Sequence, residues 1–376
     1  MIIPEAVFAE TLLEFLSPVR KFLDDPTVSE IMINGPSQVY IERKGRLELT
    51  SVKFESAEDV MCALRNAAQY VGKHIDEHHP ILEARLPDGS RVQAVVPPIA
   101  PDGPSVSIRR FFKDTLTMDH LVSIGSLTQD AASALDALVA AKLNVLIAGG
   151  TGSGKTSLLN LLTRFVPSGD RMIVIEDSRE VEVQNAHVVY LEARPADVHG
   201  RHAVGIRDLF RSALRMRPDR IVIGEIRGGE ALDIVQAMVS GHGGCMGTLH
   251  ATYPRDTLTR LETMAMMSDV DIPLLALRLQ IASGANVIVQ VSRLQDGSRK
   301  ITHITEVLGF DLETSKYQLQ DLFVRRYGGM NAEGMLQSEL VPTGVLPQFM
   351  PQLHEHGVDL PASMYLAAQR PRPLPS

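Results

Sequence analysis

The spacing of apolar and polar positions divides the chain into two regions of different character. Residues 5–23 carry apolar side chains at near-helical intervals, interrupted at Pro18. Short strand-like runs follow at 30–34, 39–43 and 46–50, the last two hinged at Lys44-Gly45 as a hairpin. Residues 57–71 place apolar residues at three- and four-residue steps and predict a helix. Runs at 82–86 and 91–96 predict a second hairpin around Pro87-Asp-Gly-Ser90, and 105–111 predicts one more strand. Together these make a small α+β domain over residues 1–112, and a less regular stretch, 113–130, reads as a linker. From 131 the pattern changes to helices alternating with apolar strands, the mark of an α/β sheet. The strands are expected at 143–148, 171–176, 220–224 and 246–250, the helices at 157–166, 206–216 and 229–239. This second domain is expected to end near 335. Residues 336–376 show little regular pattern and close on Arg-Pro-Arg-Pro-Leu-Pro-Ser, which reads as a tail with a disordered end.

The 5–23 segment admits two readings, an amphipathic face for a partner or membrane and a helix packed on its own domain. Its few basic residues favour the second. At 376 residues two domains are the natural expectation. No apolar run reaches the length of a bilayer span, since 135–148 is broken by Asp136, Lys142 and Asn144. The first residues, Met-Ile-Ile-Pro-Glu-Ala, lack the basic and long apolar regions of a secretory signal. Two distant cysteines, Cys62 and Cys245, cannot build a disulfide framework or a four-cysteine zinc site within one chain. A cytoplasmic protein is the expectation. The net charge of −8 argues against nucleic acid as the main partner, because a phosphate-gripping protein usually carries a basic surplus.

Residues 149–156 read Gly-Gly-Thr-Gly-Ser-Gly-Lys-Thr and satisfy the phosphate-loop pattern G-x-x-x-x-G-K-[ST] in full. An apolar strand precedes the loop and a helix follows it, which is the context that makes the pattern a site rather than a glycine-rich turn. The backbone of Gly149, Gly150, Thr151, Gly152, Ser153 and Gly154 can curl its N–H groups around anionic oxygens. The helix opening at Lys155, Thr156 and Ser157 adds its positive end. Lys155 is placed for the β- and γ-phosphates and the Thr156 hydroxyl for Mg²⁺, so ATP with Mg²⁺ is the expected ligand.

Metal and attacking water call for carboxylates as well, and two strand ends supply them. One is Glu225 after Ile221-Val-Ile-Gly; the aspartate usual before such a glutamate is replaced by Gly224. The other is Glu176 with Asp177, after Ile173-Val-Ile. Metal positioning by Thr156, Glu225 and Glu176 is expected, and the sequence does not separate the roles of the two glutamates. A glycine-rich segment, Ser240-Gly-His-Gly-Gly-Cys-Met-Gly-Thr-Leu-His-Ala251, then offers His242 and His250 for sensing the γ-phosphate or for coupling to a neighbour.

A phosphate loop, an Ile-Glu-Asp box, a Gly-Glu strand end and a Gly-His…Thr-Leu-His-Ala box, in this order, resemble the secretion ATPase superfamily of type II and type IV secretion and type IV pilus assembly. The stretch Leu214-Arg-Met-Arg-Pro-Asp-Arg-Ile-Val-Ile-Gly-Glu-Ile-Arg-Gly228 carries the resemblance most specifically. It continues in residues 25–35, 83–94 and 107–111, and these are most similar to the Tad/Flp pilus assembly branch (CpaF-like), with conjugation-type ATPases next. The resemblance implies a RecA-like ATPase domain preceded by a PAS-like α+β domain, a homo-hexameric ring, and ATP hydrolysis coupled to an inner-membrane platform protein. The protein is then expected in the cytoplasm, peripheral to the inner membrane. By motif, Arg91 and Arg109 fall where the family sets arginines on the phosphates, with Arg85 and Arg110 as weaker candidates; Gly224 is normal in this family. Two rivals stay open, a nucleic-acid translocase using Arg207, Arg211 and Arg215 and a nucleotide-gated assembly module with little turnover; a small-molecule kinase is least favoured, since the first domain offers no obvious acceptor pocket.

Overall fold

In the computed structural model of the chain, residues 5–43, 45–111, 116–196, 200–331 and 336–366 are described, the side chains of 5–9 and 365–366 excepted. The chain divides into two compact units, Met1–Lys113 and Asp114–Ala196 with Gly200–Ser376.

The first unit runs α1 (Glu5–Phe15), α2 (Ser17–Leu23), β1 (Val28–Asn34), β2 (Gln38–Arg43), β3 (Arg46–Leu49), α3 (Ala57–Tyr70), β4 (Ile81–Arg85), β5 (Arg91–Val95) and β6 (Ser105–Arg109). Its six strands form an antiparallel sheet in the order β3-β2-β1-β6-β5-β4. Pro18 sits at the opening of α2, where its missing N–H has no helical acceptor to lose. That is why the apolar pattern breaks and resumes rather than ends. Leu12, Leu16, Val19 and Phe22 are buried with Ile31, Ile33 and Leu64, so the leading helices cover the core of their own unit. A capping box between Ser56 and Asp59 fixes the start of α3. Arg43 pairs with Arg46 across the β2–β3 turn, whose Lys44 lies outside the described residues.

The second unit runs α4 (Met118–Ser123), α5 (Gln129–Ala140), β7 (Val145–Gly149), α6 (Lys155–Thr163), β8 (Met172–Glu176), β9 (Val188–Glu192), α7 (Ile206–Ala213), β10 (Arg220–Ile223), α8 (Glu230–Val239), β11 (Met246–Leu249), α9 (Pro254–Ala265) and α10 (Leu274–Gly284). It closes with β12 (Val287–Arg293), β13 (Arg299–Asp311), β14 (Lys316–Met330), β15 (Leu336–Pro342), α11 (Met350–Glu355) and α12 (Ser363–Leu366). Nine strands form one sheet in the order β15-β14-β13-β12-β7-β11-β10-β8-β9. The six strands from β12 to β9 are parallel, and β13, β14 and β15 extend the sheet antiparallel.

Strands β7, β8, β10 and β11 are buried along their whole length, as parallel strands covered on both faces must be. Val145 and Ile147 point into the layer that holds α5 and α6; Leu146 and Ala148 point into the layer of α7 to α10. This is the mixed α/β fold expected, with an ATPase-type domain after a smaller α+β domain.

Two stretches differ from the sequence reading. Within 113–130 the chain forms α4 and opens α5 at Gln129, capped by the Thr128 hydroxyl, so only part of it is plain connection. Residues 336–364 are not a tail: β15 pairs with β14, and Leu340, Phe349, Leu353, Leu360 and Met364 are buried in the main core. The Glu306 carboxylate accepts the N–H groups of Gln348 (2.8 Å) and Phe349 (3.2 Å) and holds the segment down. Long-range apolar contacts order this segment without helical or strand periodicity of its own. The proline-rich end falls outside the described residues.

A candidate nucleotide site at the C-terminal edge of the parallel strands

The loop between β7 and α6 has the geometry of an anion cradle. Gly152 (φ +67°) and Gly154 (φ +97°) adopt left-handed backbone that residues with a Cβ resist. The Ser153 hydroxyl donates to the Gly150 carbonyl (2.8 Å) and closes the turn. At Gly149 a Cβ would collide with the Val291 carbonyl on neighbouring β12, whereas around Gly150 and Gly152 there is open space within 4 Å. Helix α6 opens after Gly154, which has no side chain to cap it, so the positive end of the helix faces the loop. The Lys155 ammonium is largely buried and donates to the carbonyls of Gly149 (3.2 Å) and Gly150 (3.0 Å).

Beside this loop, in sheet order, stand the ends of β11 and β10. His250 follows β11 and Glu225 follows β10. The His250 Nδ1 lies 3.4 Å from Lys155 Nζ, and its Nε2 lies 2.8 Å from Glu225 Oε1. Burial, and then the Lys155 ammonium, pushes the imidazole below its ordinary pKa, so it is neutral at pH 7. The partners then fix the tautomer: Lys155 donates to Nδ1 and the Nε2–H donates to Glu225. Glu225 accepts a second bond from Arg227 (2.6 Å), which also reaches Asp177 (3.3 Å). Burial alone would raise the Glu225 carboxyl. The Arg227 guanidinium, with His250 and Lys155, outweighs it and holds the group below its ordinary value. Lys155, His250, Glu225, Arg227 and Asp177 thus form one continuous polar chain.

Glu176 stands differently. Its carboxylate is 4% exposed and accepts the backbone N–H groups of Glu180 (3.0 Å) and Val181 (3.0 Å). A Cβ at Gly224 would come within 2.7 Å of its Cγ. The departure from aspartate before Glu225 therefore has a local cause: the Glu176 side chain occupies that space. At about 4.8 Å per strand, β10 lies roughly 10 Å from β7 and β8 roughly 14 Å. The structure joins Glu225 to the loop and ties Glu176 to its own downstream turn.

His242 is not brought to the site. It precedes β11, whereas His250 follows it, so the two lie at opposite edges of the sheet. Its Nδ1 is near the Ser240 hydroxyl (3.4 Å). The neighbouring glycines serve packing there. A Cβ at Gly243 would press on the Lys142 carbonyl (3.0 Å), and one at Gly244 on the guanidinium of buried Arg220 (2.7 Å). Arg220 itself is held by Asp170 and the carbonyls of Val139 and Ala140.

In the first unit, Arg91 and Arg109 are direct cross-strand partners, and Arg85 pairs with Arg91 on the other side. Three guanidinium groups therefore share one face in one row. Like charges directly opposite one another destabilise a sheet; here Glu30 stands opposite Arg109 on its other side, and Arg85 also donates to the Gly89 carbonyl (3.2 Å). Arg110 points elsewhere and donates to the carbonyls of Asp25 and Val28. Arg207 and Arg211 both pair with Asp233 (2.6 and 2.9 Å), and Arg207 also pairs with Asp269. Their charge is spent inside the unit.

Among the described residues no group of three or more His, Cys, Asp or Glu side chains could hold a metal by itself. Mg²⁺ is suited to such a place, since it keeps several waters and takes one or two protein oxygens plus phosphate oxygens. The Thr156 hydroxyl and the Glu225 carboxylate are donors of that kind.

Comparison with known proteins agrees with this geometry. The family of type II/IV secretion system proteins matches the chain over residues 13–321. The chain belongs to this family. A candidate conjugal transfer protein of Mycobacterium tuberculosis is 33% identical over 282 residues, 73% of this chain and 80% of its own length. The type IV secretion system protein VirB11 of Brucella suis is 32% identical over 320 residues, 78% of this chain and 88% of its own. The solved ATPase DotB of Legionella pneumophila shares the fold with a TM-score of 0.53 at 20% identity, covering 82% of each chain. Among the described residues of this family member, no helix is long and apolar enough to cross a membrane.

Two residues at the site carry no sequence signal, and a third, Arg227, lies inside the family stretch 214–228 without a motif role of its own. Gln290 on β12 donates to the carbonyl of Ala251 (3.1 Å) and steadies the turn after His250. Arg227 is the partner of Glu225, and Arg299 reaches the phosphate loop from 147 residues away.

Proposed function

We propose that the chain is a Mg²⁺-dependent ATPase that works as a ring and powers a type II/IV secretion or pilus machine at the inner membrane. The observation that carries this reading is the unbroken contact from the phosphate-loop lysine through His250 to Glu225. Mg²⁺, when bound, would supply positive charge beside the phosphates. The loop amides and the start of α6 grip the phosphates, and Lys155 turns from the loop carbonyls to the γ-phosphate. The Thr156 hydroxyl would hold the metal. Glu225, ionised, orients the attacking water and accepts its proton. His250 relays to Glu225 whether Lys155 is engaged by phosphate. Glu176 sets the backbone of 177–181 and so the Asp177 carboxylate. The arginine row of Arg91 and Arg109 supplies guanidinium groups for the charge that spreads over the γ-phosphate.

Two assignments within the family have specific support. Residues 25–35, 83–94 and 107–111 favour Tad/Flp pilus assembly, and the names of relatives at 33% and 32% identity favour conjugation-type secretion. A membrane platform protein is the proposed partner in both. Nucleic acid as the translocated load is disfavoured, because Arg207 and Arg211 are neutralised by Asp233 and Asp269.

The test is ATP hydrolysis per subunit against protein concentration, with Lys155→Ala as control. A rate that climbs with concentration and vanishes in the variant supports a ring whose subunits complete one another. Hydrolysis undiminished in Lys155→Ala refutes the site. Deleting the gene then separates the two machines by which is lost, pilus filaments or conjugal transfer.

A further inference from the structure

The β12–β13 hairpin clasps the phosphate loop from the side opposite β11. Its first strand lays the Val291 carbonyl against Gly149 so closely that only glycine fits there. Its second strand opens with Arg299, whose Nε–H donates to the Gly152 carbonyl (2.8 Å) and whose Cδ lies 3.5 Å from the Cβ position of Gly154. The side chain is exposed, but its backbone is anchored: the Arg299 carbonyl accepts the hydroxyl of buried Ser126 (2.5 Å). The carbonyl of Ser126 in turn accepts from buried Arg325 (2.5 Å).

We propose that Arg299 is a positioning residue for nucleotide phosphates. Its Nε–H holds the Gly152 carbonyl turned away from the cradle, so the loop N–H groups keep facing inward. A carbonyl that swung in would set a negative oxygen against the phosphates. The guanidinium also places a fixed positive charge at the rim of the loop, between the two glycines whose left-handed backbone shapes it. The exposed guanidinium borders the phosphate loop rather than either core layer, where an anion would meet it. This inference rests on the phosphate-loop reading and names a residue that reading does not contain.

The experiment uses the full chain as wild type, Arg299→Ala and Arg299→Lys, with three readouts. These are Kd for Mg·ATP by titration of a fluorescent ATP analogue, KM and kcat for hydrolysis, and melting temperature without nucleotide. Arg299→Ala is expected to raise Kd and KM about tenfold with a smaller change in kcat and an unchanged apo melting temperature. Arg299→Lys, keeping the charge but not the directed Nε–H, is expected to recover part of the loss. Wild type that binds with Arg299→Ala within twofold in Kd and KM overturns this inference alone. A lower apo melting temperature in Arg299→Ala that accounts for the whole loss also overturns it, since the residue is then merely structural. Wild type that binds no nucleotide overturns the phosphate-loop reading and this inference with it.

Discussion

Two glycine-rich segments sit at opposite edges of the same parallel sheet and do opposite things with their glycines. In the loop after β7, Gly150 and Gly152 border open space. Before β11, Gly243 and Gly244 are filled against, by the Lys142 carbonyl and the Arg220 guanidinium. Both segments are short of side chains, and both combine glycine with residues that often do chemistry. Glycine permits close approach of something to the backbone. Only the surroundings decide whether that something is a ligand or the protein itself.

Five substitutions sharpen this contrast, the losses of activity first and the losses of stability and affinity after them. Lys155→Ala removes the cation that links loop and His250, and ATP hydrolysis should fall by more than about 100-fold in steady-state assays. Glu225→Gln should lower kcat by about 10²- to 10⁴-fold while nucleotide binding persists. The matched Glu176→Gln should instead lower unfolding stability by about 1–3 kcal/mol, because the amide loses the negative charge that the N–H groups of Glu180 and Val181 face and can set an NH2 donor where Oε2 accepts from Val181. Equal effects of the two glutamine variants on kcat and on melting would erase the distinction drawn between the glutamates.

At the packed edge, Gly244→Ala must place a Cβ 2.7 Å from Arg220 at φ +80°. A stability loss of about 2–4 kcal/mol is expected by denaturant unfolding, with nucleotide affinity little changed. At the open edge, Gly150→Ala meets nothing within 4 Å. Its unfolding stability should stay within about 0.5 kcal/mol of wild type, while affinity for Mg·ATP drops. If Gly150→Ala unfolds the protein and Gly244→Ala does not, the comparison between the two edges collapses.

Much of the fold was legible along the chain. The change from short alternating runs to continuous apolar strands near 131 marks a real change of architecture, because a parallel sheet buried on both faces needs apolar residues at every position. Pro18 marked a restart of helix rather than its end. The region beyond 254 was less legible. Helices α9 and α10 and strands β12 to β15 take their order from packing against one another, and residues 336–364 carry buried Leu340, Phe349 and Leu353 without a readable period.

The site divides the same way. The sequence by itself determined the phosphate loop, because left-handed glycines, a lysine and a helix start are local requirements met within eight residues. It also determined that carboxylates end two of the strands. Tertiary structure alone decided which carboxylate joins the loop, since that follows from strand order: β10 is two strands from β7 and β8 is three. It likewise decided that His250 belongs to the site and His242 does not, because a strand separates its two ends by its own length. Arg299 lies 147 residues from Gly152, and no local pattern carries a contact of that range. Short-range rules set what each segment can become, and the order in which the sheet assembles its strands sets what each functional group meets.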